Sequence, residues 1–65
     1  MGWLKAIRAK SCMTQKEVAD ASGITQPAYN MIENSNMNPS VETAKAIAKV
    51  LGFNWTRFFE EEEKQ

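Results

Sequence analysis

Histidine is missing from this chain altogether, and cysteine occurs once. With these counts an internal disulfide framework is excluded, and a structural zinc site has too few ligands of the usual kinds. A lone thiol suits a reducing compartment. No apolar run is long enough to span a bilayer, because lysines interrupt each candidate. Nor do the opening residues show the apolar stretch of a signal peptide. A soluble cytoplasmic protein is therefore expected. Glycine and proline are scarce, at three and two residues, so each marks a particular place in the chain. Net charge is zero, yet it is unevenly spread. Residues 1–57 hold seven Lys or Arg against four Asp or Glu, whereas residues 58–65 hold four Glu against one Lys. The run from Glu60 to Glu63 reads as a solvated acidic tail over 60–65, following one domain over 1–59.

What is present is helical punctuation. At 65 residues, 43% of them hydrophobic, the chain makes one small globular domain. Over about residues 2–10, Trp3, Leu4 and Ile7 share a helical face. Thr14-Gln15-Lys16-Glu17 has the form of a capping box. The helix it opens runs to Ser22, burying Val18, Ala19 and Ala21, and Gly23 ends it. Thr25 caps a third helix that turns Tyr29 and Ile32 inward. Pro27 falls in its first turn, where a backbone N–H has no helical partner to lose. Residues 34–39 form a loop. Ser40 caps a fourth helix that buries Val41, Ala44, Ile47, Ala48 and Leu51 and stops at Gly52. Asn54 caps a short fifth helix carrying Trp55, Phe58 and Phe59. No segment alternates with period two, so the fold class is all-α.

Gln15, Ala19, Gly23, Tyr29 and Ile32 are spaced as in the helix-turn-helix of the Cro/lambda-repressor (XRE) family, which the chain resembles from about Leu4 to Phe59. Arg8, Ile32-Glu33-Asn34, Asn38-Pro39-Ser40 and Leu51-Gly52 belong to the same pattern. The resemblance implies a compact five-helix DNA-binding domain whose third helix enters the major groove. It places Gln26, Pro27, Asn30 and Met31 toward base edges. Gln and Asn suit adenine, while apolar groups suit the thymine methyl. Pro27 and Met31 stand where many relatives carry polar residues, so apolar readout matters here. The resemblance gives phosphate contacts to Gln15 and Asn34; since relatives often carry Lys or Arg where Asn36 and Met37 stand, phosphate binding here leans also on Lys10, Lys16, Thr25, Asn36 and Ser40. The resemblance pairs Arg8 with Glu33 as a structural ion pair, and notes Cys12 and Ser35 where relatives often have glycine.

Three aromatics within five residues, Trp55, Phe58 and Phe59, suggest a homodimer interface, with at least one of them in the core. The implied partner is double-stranded DNA carrying a palindromic operator, and the implied role is a phage- or mobile-element-type repressor. Between Lys16 and Lys45 no basic residue occurs, while Glu17, Asp20, Glu33 and Glu42 do. That span motivates the alternative, a protein-interaction module of the same fold. Without a histidine, a paired acid in an apolar pocket or a Gly-rich phosphate loop, no enzymatic activity, cofactor or small-molecule ligand is expected.

Overall fold

The computed structural model describes residues 1–35 and 37–60. Four α-helices follow one another: α1 (Gly2–Lys10), α2 (Gln15–Ser22), α3 (Gln26–Asn34) and α4 (Val41–Leu51). The expected fifth helix is instead a 3-10 helix, Trp55–Phe59. Only five residues separate its Asn54 cap from the end of the element. A run this short closes with i→i+3 bonds, and Arg57 N–H donates to the Asn54 carbonyl at 3.0 Å. Among the described residues there is no strand, and no helix is long and apolar enough to cross a membrane.

Helices α2, α3 and α4 start at the caps their sequence marks. The Thr14 hydroxyl accepts from Glu17 N–H at 3.1 Å, and Thr14 N–H donates to Glu17 Oε1 at 2.8 Å, which satisfies two orphan donors reciprocally. Thr25 and Ser40 accept from Ala28 N–H and Thr43 N–H, each at 3.2 Å. Pro27 stands in the first turn of α3. Gly23 and Gly52 terminate α2 and α4 at φ 77° and 81°, a left-handed conformation that costs a side chain energy. Ser35 ends α3 differently. Its φ is −103° and its N–H donates to Met31 O, so this terminus needs no glycine. Cys12, by contrast, is held at φ 57°.

The helix-turn-helix pair α2–α3 packs together, α4 covers α2, α1 lies on α3, and the 3-10 helix closes against α4. Leu4, Val18, Ala19, Tyr29, Ile32, Ala44, Ile47, Leu51 and Phe58 form the core. Ala19 is fully buried where these helices meet, so a larger side chain would collide. Two expected core positions are not buried. Ala21 is exposed, and Val41 is 49% exposed. Val41 keeps the register of the apolar stripe, but periodicity fixes a direction, and in the first turn of α4 too little chain lies over it.

Phe58 is 2% exposed and packs with Trp3 and Phe53, the ring centroids lying 5.2 to 5.5 Å apart. It belongs to the core of its own chain and has no surface to offer a partner. Phe59 is 40% exposed, and Trp55 is half-buried beneath the Lys45 ammonium.

Candidate nucleic-acid interface

The chain places Gln26, Pro27, Asn30 and Met31 on one exposed face of α3, where they line a single shallow, open depression. Residues 26, 27, 30 and 31 recur at helical spacing, so one face collects them while Tyr29, Ile32 and Glu33 point inward. Thr25, Lys10, Lys16, Asn34 and Ser40 are all exposed. Lys16 Nζ lies 3.0 Å from Asp20 Oδ2, but both side chains are largely in water. A phosphate could draw Lys16 away cheaply, because such surface pairs contribute little. The Ser40 hydroxyl donates to Thr43 Oγ1 at 3.0 Å, so its hydrogen is already engaged. Asn36 lies outside the described residues, as does the tail from 61 to 65.

Beneath this face is a buried polar network centred on Glu33. Its carboxylate accepts from Arg8 Nε at 2.8 Å, Arg8 Nη2 at 3.2 Å, Gln15 Nε2 at 2.8 Å and the Tyr29 hydroxyl at 2.8 Å. Arg8 Nη1 also donates to Met13 O at 3.0 Å, which fastens α1 to the lead-in of α2. The Met1 amino group donates to the Glu33 carbonyl. Glu33 is 2% exposed. Burial pushes its carboxyl pKa up, but the hydrogen bonds from Arg8, Gln15 and Tyr29, with the Arg8 charge, outweigh burial and hold it below the ordinary value. The hydrogen bond to Glu33 raises Arg8 in turn. Burial, then the Glu33 bond and charge, raises the Tyr29 hydroxyl. Glu33 is therefore a buried anion whose carboxylate is held by four hydrogen bonds.

Sequence reasoning missed two members of this network. Tyr29 contributes a hydroxyl as well as a ring, and its spacing of four from Glu33 on one helix carried that signal. Gln15 is only part-exposed, and its amide bonds Glu33 at one end and Asn30 at the other. No spacing within one helix could have foretold that, because Gln15 and Asn30 lie on different helices. Among the described residues, no three metal-ligating side chains gather.

A family model described as helix-turn-helix matches residues 4–58. YqaF of Bacillus subtilis (strain 168), described as an uncharacterized HTH-type transcriptional regulator, is 49% identical over 59 residues, spanning 91% of this chain and 78% of YqaF. The HTH-type transcriptional regulator PuuR of Escherichia coli (strain K12) is 34% identical over 61 residues, or 94% of this chain. That alignment covers 33% of PuuR, so this chain spans about a third of that relative. No solved structure matches. With the family's pattern laid out over nearly all of its length, the chain belongs to the Cro/lambda-repressor-like (XRE) helix-turn-helix family.

Proposed function

We propose that this protein is a sequence-specific DNA-binding transcriptional regulator of the phage- or mobile-element repressor type. Helix α3 enters the major groove and turns Gln26, Pro27, Asn30 and Met31 toward base edges. The observation that carries this reading is their convergence on one open face of α3, at the end where the helix presents its free N–H groups. Lys10, Lys16, Thr25, Asn34, Asn36, Ser40 and the remaining Nε2 hydrogen of Gln15 position the duplex through its phosphates. Two copies join through Phe59 and the accessible part of Trp55, and read a palindrome with half-sites about 34–36 Å apart. Protein names among the relatives agree with regulation of transcription.

Lys10 and Lys16 are the two exposed cations assigned to phosphates in this reading, so few counterions are released on binding. With about two phosphates neutralised per protomer, the slope of log K against log salt for a dimer should be no steeper than about −4. Selection of duplexes from a random-sequence pool tests the reading. Enrichment of an inverted repeat with one-turn spacing, bound with that shallow slope, is the expected result. If no sequence is enriched, the protein-interaction reading is favoured and this one fails.

A further inference from the structure

Gln15 opens α2, and its side-chain amide is held at both ends. Its Nε2 donates to Glu33 Oε1 at 2.8 Å, and its Oε1 accepts from Asn30 Nδ2 at 3.0 Å. The polarity of this chain of bonds has one source. Glu33 is a buried carboxylate that accepts from Arg8 and Tyr29, and an ionised carboxylate has nothing to donate. Only the amino end of Gln15 can meet it. The carbonyl end of Gln15 then faces α3, and only the amino end of Asn30 can answer. Two amides whose oxygen and nitrogen ends have nearly the same shape are thereby set in one orientation by a single buried charge. Asn30 is left with Oδ1 and one Nδ2 hydrogen uncommitted, on the face it shares with Gln26, Pro27 and Met31.

We infer that Gln15 is a positioning residue, which orients the Asn30 carboxamide so that Oδ1 and the free Nδ2 hydrogen meet a base carrying an exocyclic amino group beside an acceptor. Adenine offers that pair in the major groove, N6–H for Oδ1 and N7 for the hydrogen. The inference rests on the DNA-binding reading above. It differs from a phosphate contact by Gln15, because phosphates contribute alike to every sequence, whereas orienting Asn30 matters only at the base Asn30 reads.

The test uses a duplex enriched from a random pool by the intact protein, and a scrambled duplex of the same composition. The ratio of the two affinities cancels any uniform phosphate contribution. Gln15→Met keeps the length of the side chain and removes both bonds. It should lower the ratio at least about fivefold, the smaller end of what one base contact discriminates. Discrimination should vanish at the base pair where Asn30→Ala loses it, and Gln15→Met should add no further loss in an Asn30→Ala background. Equal weakening of both duplexes by Gln15→Met would reduce Gln15 to a phosphate contact and overturn the inference. So would additive losses in the double variant. If Asn30→Ala keeps the full ratio while Gln26→Ala lowers it, the inference falls and the DNA-binding reading stands. If the intact protein enriches no sequence, both fall. A second measurement needs neither DNA nor a variant. In ¹H–¹⁵N spectra of the free protein, one Asn30 amide proton should exchange more slowly than its geminal partner. Equal, rapid exchange of the two would overturn the inference.

Discussion

Removing Arg8 tests the network under α3 in a way that pH can read. In Arg8→Ala the Glu33 carboxylate keeps the Gln15 and Tyr29 donors but loses two hydrogen bonds and its counter-charge. Breaking a buried pair from one side costs about 3–5 kcal/mol. The two surviving donors put the loss at the lower end, about 3 kcal/mol at pH 7. A domain of this length has on the order of 3–10 kcal/mol in all, so the variant should melt at least about 12 °C lower. The pH dependence follows from the direction of each shift. In the wild type Glu33 is depressed, so its contribution is present above the unfolded carboxylate value and is lost as pH falls through the lower folded value. Without Arg8 the carboxyl loses two of the hydrogen bonds and the charge that hold it down, while burial still pushes it up, so less of that stabilisation remains at neutral pH. The gap between variant and wild type should therefore close as pH falls below about 4. Urea titrations followed by circular dichroism at pH 7, 5 and 3.5 measure it. A loss under about 1 kcal/mol at pH 7, or a gap that does not narrow on acidification, would refute the reasoning.

Other substitutions give separate outcomes. Cys12→Gly should stabilise by up to about 1 kcal/mol, because relief of a left-handed side chain, about 1–2 kcal/mol, exceeds the entropy glycine adds; a lower melting temperature contradicts this. Phe58→Ala should cost about 3–5 kcal/mol, as a core aromatic does, whereas Phe59→Ala should leave the monomer within about 1 kcal/mol and weaken self-association in sedimentation. Equal effects of the two would remove the distinction between core and surface aromatic. The salt slope of operator binding, no steeper than about −4, would be contradicted by a steeper line, which would mean that cations beyond Lys10 and Lys16 reach phosphates.

The local features of this fold are legible because each is written in a few neighbouring residues. Thr14 with Glu17, Thr25, Ser40, Gly23 and Gly52 mark helix ends through bonds and dihedrals that involve only residues nearby. Tyr29 and Ile32 declare the buried side of α3 by spacing. Val41 and Ala21 show where periodicity stops being informative, since it gives a direction and not the presence of a neighbour. Phe58 and Phe59 are adjacent in sequence and opposite in fate, which only the position of Trp3 and Phe53 decides. The site divides the same way. The outward set on α3 follows from helical geometry, whereas the link from Glu33 through Gln15 to Asn30 joins α2 to α3 and exists only after they pack.

Sequence readout through the front of α3 is tested most directly at Gln26, an exposed side chain stiffened by the neighbouring Pro27. Gln26→Ala leaves the core untouched, so its melting temperature should stay close to that of the wild type. Binding titrations on an enriched duplex and on its scrambled counterpart should show a loss of about 1–3 kcal/mol on the first, the discrimination of one bidentate base contact, and almost none on the second. Equal weakening on both duplexes, or no weakening on either, would contradict base reading by this residue.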